Sequence, residues 1–271
     1  MHKAPIIEVL GVRLDLSILI MTIVTCIIVF VIARLGARKL SVTNPGKMQN
    51  FMEWLIEFVQ GIVASTMDMK RGKPFVTLGL TLIMFIFVGN MLGLPFAVVT
   101  EHKQPTEIFG ATLVEQGDLD KAKNDLIAKA EAKGEEYDPH DYHGVGFVWW
   151  KSPTADPMVT TGLALIVILL THYLGVFKNT KSYFKHYLKP YPVFLPIHIV
   201  EEASKLITLS MRLFGNIFAG EIMISVIVMA GVFGIPMLAV WQGFSIFVGS
   251  IQAFIFCMLT MVYIAQKTER H

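Results

Sequence analysis

The residue with most chemistry to offer is an arginine inside a long apolar stretch. Arg212 lies in Ser210-Met211-Arg212-Leu213-Phe214-Gly215-Asn216-Ile217-Phe218-Ala219-Gly220-Glu221-Ile222. Each of its flanks is about as long as the roughly 20 residues that span a bilayer. A guanidinium keeps its proton at any biological pH. Holding one at membrane depth costs from about 3 to more than 10 kcal/mol, so intramembrane charges mark ion paths, pumps or sensors. Snorkelling to a headgroup is argued against by the length of both flanks.

Arg212 is one member of a polar stripe. Glu201, Lys205, Thr208, Arg212 and Asn216 fall on one face of a helix that turns about 100° per residue. Along the axis, Glu201 is about 16 Å to one side of Arg212 and Glu221 about 13 Å to the other. A charge that cannot be cancelled therefore sits between two carboxylates. Glu201 and Lys205 also have the spacing of an i, i+4 ion pair, which leaves a role in proton access open, and Glu202 points away from the stripe. Glu221 is nine residues from Arg212, hence about 180° around the helix, and should face a neighbouring element. On the next apolar stretch Ser245, Gln252 and Tyr263 share a face. Gln252 and Arg212 are roughly equidistant from Gly234, so Gln252 is placed either to orient the guanidinium or to make an ordinary interhelical hydrogen bond.

These residues need long helices at membrane depth, and the composition supplies them. The 271 residues are 54% hydrophobic with a mean hydropathy of +0.59, the signature of an integral membrane protein. The net charge of +2 gives no reason to expect a nucleic-acid partner. Cys26 and Cys257 both lie within apolar segments and suggest neither a disulfide framework nor a metal site. The first apolar run is long and no small-residue cleavage site follows it, so it reads as a helix and not as a cleavable signal.

The expected class is an all-α membrane protein with five transmembrane helices, a long tilted C-terminal hairpin and one amphipathic interfacial helix, forming a single domain over 1–271. The spans are about Leu14 to Arg34, Phe75 to Val99, Met158 to Phe177, Pro196 to Phe233 and Met237 to Gln266, with Gly234-Ile235-Pro236 as the break inside the 191–266 hairpin. Both hairpin arms exceed the spanning length and should tilt. Met48 to Met67 carries Gln49, Glu53, Glu57 and Gln60 at helical spacing, and is expected to lie in the cytoplasmic interface or against a partner. Arg34, Arg38, Lys39 and Lys47, then Lys70, Arg71 and Lys73, then Lys178, Lys181, Lys185 and Lys189, and lastly Lys267 and Arg270 mark cytoplasmic flanks. The N-terminus is then outside and the C-terminus inside. The 100–157 segment holds six basic and twelve acidic residues, a net −6, which fits an extracytoplasmic loop. Within it, Leu113 to Lys133 has helix-forming composition, capped at Asp118, Asp120 or Asn124. Asp138-Pro139-His140-Asp141-Tyr142-His143 has metal-ligand residue types but reads as a solvated loop.

The Arg212–Glu221 run resembles the signature of subunit a of rotary F-type ATP synthases. So does Gln252-Ala253-Phe254-Ile255-Phe256-Cys257-Met258-Leu259-Thr260. Met48-Gln49-Asn50-Phe51-Met52-Glu53-Trp54, Asn90-Met91-Leu92-Gly93-Leu94-Pro95-Phe96 and Trp149-Trp150-Lys151-Ser152-Pro153-Thr154-Ala155-Asp156 are similar to the forms found in bacillus-like bacteria. The resemblance covers nearly the whole chain. It implies a non-catalytic stator in the bacterial cell membrane. Two half-channels would carry protons, in preference to sodium ions, to and from the carboxylates of a rotating c-subunit ring. The implied partners are that ring, the b-subunit peripheral stalk, the remaining synthase subunits and membrane lipid. Arg212 matches the essential arginine, Glu221, Asn216 and Gln252 match the outer path, and Glu201 lies towards the inner one. Ser245 stands where some relatives carry a histidine, so proton relay there would need water or Glu221. The acidic insert from about Glu101 to Val145 receives no role from the resemblance.

An autonomous channel or secondary transporter is the alternative, but the matching halves of such carriers are not seen. An intramembrane enzyme is a third class. The sequence has neither a His-Glu-x-x-His zinc motif nor a phosphate-binding Gly-x-x-x-x-Gly-Lys-Ser/Thr loop. No cofactor is therefore expected, and nucleotide chemistry must belong to other subunits. The topology has a direct test: cysteines placed at Lys121 and Arg270 should label from opposite sides of the membrane with an impermeant thiol reagent, and same-side labelling would sink it.

Overall fold

The computed structural model describes residues 2–3, 6–9, 12–38, 40–93, 99–108, 111–114, 116–133, 144–188 and 195–268. The Asp138–His143 run and the flanking Lys39, Lys189 and Arg270 lie outside the described residues. Five helical stretches are long and apolar enough to cross a membrane: Leu16–Ala37, Met69–Leu92, Pro157–Phe177, Leu195–Val228 and Gly234–Thr268.

Helix α1 (Leu16–Ala37) starts where Asp15 accepts hydrogen bonds from the backbone N–H groups of Ser17 and Ile18 at 2.9 and 3.4 Å. A side-chain cap of this kind satisfies donors that the first helical turn leaves open. Helix α2 (Lys47–Thr66) is amphipathic. Met52, Leu55, Val59, Ile62 and Val63 are buried against α1, α4 (Val76–Leu92) and α8 (Gly234–Thr268). Glu53, Glu57 and Gln60 stay exposed. Between α2 and α4 come a short helix α3 (Met69–Gly72) and one 3-10 turn.

The acidic segment carries the helix expected within Leu113 to Lys133 and, beyond expectation, short strands. Its described part folds into β4 (Val99–His102), β5 (Thr106–Ile108), β6 (Ala111–Val114), α5 (Gln116–Lys133) and β7 (Val145–Val148). Strand β7 pairs antiparallel with β4 and parallel with β1 (His2–Lys3). β5 and β6 form a hairpin, as do β2 (Ile6–Val9) and β3 (Val12–Asp15). Val114, Leu119 and Val145 make a small core beside Trp149. Three inward apolar side chains in a polar segment suffice to close it, a tertiary contact that composition does not reveal. Helix α5 begins at Gln116, so Asp118, Asp120 and Asn124 lie inside it and not at its cap. Acidic residues early in a helix suit the positive end of its dipole.

Helix α6 (Pro157–Leu188) is longer than its apolar span, which ends at Phe177 as expected. The helix itself runs on through Lys178, Lys181 and Lys185. Lysine is a good helix former, and the next breaker is Pro190. Helices α7 (Leu195–Val228) and α8 are 34 and 35 residues long. At about 1.5 Å per residue each measures about 50 Å, well beyond a hydrocarbon core of about 30 Å. Each must incline within a membrane or project from it. Between them, Gly231 takes a φ of +60°, a left-handed conformation open to glycine without cost.

The helices close on α4 and α8, which approach closely at Gly79 and Gly249. A Cβ on Gly79 would meet Val59 Cγ1 at 2.9 Å, Met261 Cε at 3.0 Å and Cys257 Sγ at 3.2 Å. Overpacking such a contact costs about 1–3 kcal/mol. Gly79→Leu should therefore lower the thermal stability of the detergent-solubilised protein. Gly61→Leu, where nothing lies within 4 Å of the added carbon, should leave it unchanged or raised.

Candidate functional site

Helix α7 buries little of itself: only 11% of its most apolar window is covered by the chain. Its inward line runs through Leu209, Ser210, Leu213 and Ile227. Its outward line carries Glu201, Ser204, Thr208, Met211, Arg212, Phe218, Ala219 and Ile222, all exposed. Arg212 is thus on the uncovered side, at the border of the buried one. Among the described residues no carboxylate comes within ion-pair reach of its guanidinium.

Gln252 is level with Arg212, on the buried face of α8. Its amide donates to the backbone carbonyl of Arg212 and not to the guanidinium. It therefore fixes the height and rotation of α7, and leaves all five guanidinium donors available.

Glu221, Asn216 and Ser245 come together elsewhere. They line a cavity of about 80 Å³ with Asn90, Trp241 and Gly220, room enough for several waters. The Glu221 carboxylate faces the Ser152 backbone N–H and the Lys151 ammonium. Trp241 Nε1 donates to the Gly220 carbonyl at 3.3 Å. The cavity does not reach Arg212: its lining stops at Asn216, one helical turn away.

The sequence pattern assigned no role to Asn90 or to the Trp149–Asp156 run, yet Asn90 lines this cavity and the run holds Asn90 and the end of α4 in place. Asn90 is 1% exposed. Its amide donates to the Gly249 carbonyl at 3.1 Å, and its carbonyl accepts from the Thr154 hydroxyl at 2.6 Å. Trp150 Nε1 donates to the Leu92 carbonyl at 2.6 Å and the Ser152 hydroxyl to the Gly89 carbonyl at 2.8 Å, satisfying carbonyls at the end of α4 that its own helix leaves open. Lys151 pairs with Asp15 at 2.6 Å. One short segment thus ties α1, α4 and α7 together, and Asn90 carries the link on to α8. The available signal was Asn90 itself, a polar residue deep in an apolar run.

Glu201 lies apart, at the other end of α7. It pairs with Lys205 at 2.9 Å and faces His198 at 3.7 Å. Its side chain is 55% exposed. Glu202 points inward, as its position off the stripe suggests. Lys267 of α8 holds it at 2.6 Å, Lys205 stands at 3.4 Å and His172 of α6 at 3.9 Å. Three helices meet at this one carboxylate.

A family described as ATP synthase A chain matches residues 18–265. A protein of Bacillus subtilis described as ATP synthase subunit a is 42% identical over 283 residues, covering 98% of this chain and 97% of its own. Proteins of the same description from Anoxybacillus flavithermus and Alkalihalophilus pseudofirmus are 44% identical over 277 residues and 39% over 279. They cover 99% and 100% of this chain, and 98% and 99% of their own.

The cavity wall makes its own prediction. Asn90→Leu removes two buried hydrogen bonds, to the Gly249 carbonyl and from the Thr154 hydroxyl, each worth about 0.5–1.5 kcal/mol. The variant should melt at lower temperature and expose α8 to proteolysis near Gly249. Unchanged melting would show that the Asn90 links do not hold the wall.

Proposed function

The chain belongs to the ATP synthase A chain family, and on that premise we propose that it is the membrane stator of a rotary F-type ATP synthase. It would offer protons one half-channel to, and another from, a ring of c subunits. It is a multi-pass membrane subunit with no ATP chemistry of its own. Synthesis and hydrolysis fall to other subunits of the complex, and a b-subunit stalk would hold it still. The basic flanks put its N-terminus outside and its C-terminus in the cytoplasm.

The observation that carries this reading is the exposed Arg212 on an α7 face that the chain itself leaves uncovered. Along that face Ser204, Thr208, Gly215 and Ala219 are small, and small residues let membrane helices approach closely. A ring helix seated there would bring its carboxylate to the guanidinium, and a fixed cation with free donors suits an arriving anion. The carboxylate would be held while ionised and released once protonated.

The cavity supports two half-paths in preference to one continuous pore. Glu221, Asn216, Ser245 and Asn90 line it, and it closes before Arg212. A proton arriving there would have to change carrier, and the ring carboxylate is that carrier. Glu221 lies opposite the ring face of α7 and would collect protons from outside, with Ser245 and water in the cavity. Gln252 would act through the backbone, setting the depth of Arg212. Glu201, on the exposed face at the cytoplasmic end, would serve the inner path. Each charge moved across the membrane is worth about 2.3 kcal/mol per 100 mV. The external fold of α5 and its strands contains none of the proposed path residues, so replacing 103–143 with a short Gly/Ser linker should leave pumping intact.

Arg212→Ala should reduce ATP synthesis to background in an assembled complex that still co-isolates with its ring. Glu221→Gln keeps size and hydrogen bonding but removes titration, and should lower proton flux by about 100-fold, the contribution expected of a positioned proton-transfer group. Normal synthesis in Arg212→Ala would refute the reading. Near-normal flux in Glu221→Gln would leave that carboxylate a structural role.

A further inference from the structure

The cytoplasmic end of α7 holds two adjacent carboxylates in different circumstances. Glu202 is inward, with a side chain only 15% exposed, and Lys267 reaches it at 2.6 Å from α8. Glu201 is 55% exposed on the uncovered face that carries Arg212. One ammonium links them. Lys205 Nζ is 2.9 Å from Glu201 Oε1 and 3.4 Å from Glu202 Oε1. It also sits 5.8 Å above the ring centre of Tyr263 on α8, a cation–π arrangement. The Lys205 side chain is only 18% exposed, so it is held from three sides.

The groups around this ammonium come from every helix packed there. Glu201 and Glu202 share its helix, and Tyr263 and Lys267 come from α8. His172 of α6 lies behind Glu202 at 3.9 Å, its Nδ1 donating to the Ile168 carbonyl at 2.8 Å. His198 stands one turn below, 3.7 Å from the other oxygen of Glu201. Lys267 is tightly bound to Glu202, so Glu202 is neutralised from α8 and anchors Lys205 on its inner side. Lys205 then reaches outward to the one carboxylate of this cluster that lies on the ring-facing stripe. It is seven residues before Arg212, about 10 Å along the axis.

We propose that Lys205 is a positioning residue of the inner path: anchored by the Lys267–Glu202 bridge and the Tyr263 ring, it fixes the Glu201 carboxylate on the face where protons leave the ring. This deepens the stator reading and rests on it. Glu202 is the buttress and not a proton carrier, because its oxygens are taken up from α6, α7 and α8. Glu201 takes the proton, and the ammonium returns it to the same place after each transfer. A long flexible acidic side chain without that partner would spread over many rotamers, and misplacing a reacting group by about 1 Å can cost about 100-fold in rate.

The test uses the assembled synthase in inverted vesicles, reading ATP-driven proton pumping against the pH on the cytoplasmic side. Lys205→Met removes the charge at similar length. It should lower pumping by about tenfold to a hundredfold and change the pH profile, while the ring still co-isolates. Lys205→Arg should restore most of the rate. Lys205→Met combined with Glu201→Gln should be no slower than Glu201→Gln alone, since Lys205 acts only through Glu201. A wild-type rate and profile in Lys205→Met would overturn the proposal, as would losses that multiply in the double variant. If Lys205→Met does not assemble, Lys267→Met reads the same chain from the α8 side: a changed profile supports the proposal and an unchanged one overturns it. Arg212→Ala in the same vesicles separates the two claims. Pumping in that variant condemns the stator reading itself, whereas its loss beside an unaffected Lys205→Met condemns only this inference.

Discussion

A guanidinium cannot give up its proton, and the fold is arranged around that constraint. In an apolar surrounding such a charge demands a counter-ion. Among the described residues the chain supplies none within reach of Arg212, although Glu221, Glu201 and Glu202 stand on the same helix. The charge is instead turned to a face that the chain leaves open. Its height is set by a neutral contact, the Gln252 amide on the Arg212 carbonyl, which leaves the charge itself uncommitted. The close approach of α4 and α8 at Gly79 and Gly249 makes α8 a firm backstop for that contact. Stiff support behind and an unpaired cation in front is what a site needs if an anion is to be bound and released in turn.

The two ends of α7 treat their acids differently. Glu221 lines a cavity with Asn90, which neutral hydrogen bonds to Thr154 and the Gly249 carbonyl hold in place. Under the proposed relay, Glu221 and water would exchange protons there without breaking an ion pair. At the other end, Glu201 and Glu202 sit among Lys205, Lys267, His172 and His198. A dense ion-pair cluster has narrower geometric freedom than a hydrated pocket. The contrast fits a wet entry on one side and an ordered exit on the other.

Much of the plan was legible in the sequence because membrane helices write themselves in hydropathy. The five apolar stretches and the level of Gln252 against Arg212 follow from length and helical period, whereas the hairpin breaks at residues 229–233, just before the expected Gly234-Ile235-Pro236, which forms the first turn of α8. Other features were not legible, each for a physical reason. The end of α6 was masked by its lysines, which read as a cytoplasmic loop but continue the helix to Leu188. The small fold of α5 and its strands depends on Val114, Leu119 and Val145 meeting across more than twenty residues, a long-range contact with no periodic signature. Gln252 had two open choices, guanidinium or interhelical bond, that spacing alone could not separate. The Glu202 junction needs the α6 and α8 partners in place, and nothing local in the sequence says that His172 and Lys267 converge on it. Asn90 was visible as a polar residue in an apolar run, but its link to Thr154 spans 64 positions.

The central claim is that the open face of α7, with Arg212 on it, is the face that meets the ring. Site-directed disulfide formation in the assembled complex tests it most directly. Single cysteines at Thr208, Gly215 and Ile222 on the open face, and at Leu209 and Leu213 on the buried one, would each be paired with a cysteine next to the ring carboxylate. The account predicts crosslinks from the first three positions and none from the last two. Crosslinks from Leu209 or Leu213, or none from the open face in a complex that retains its ring, would contradict it.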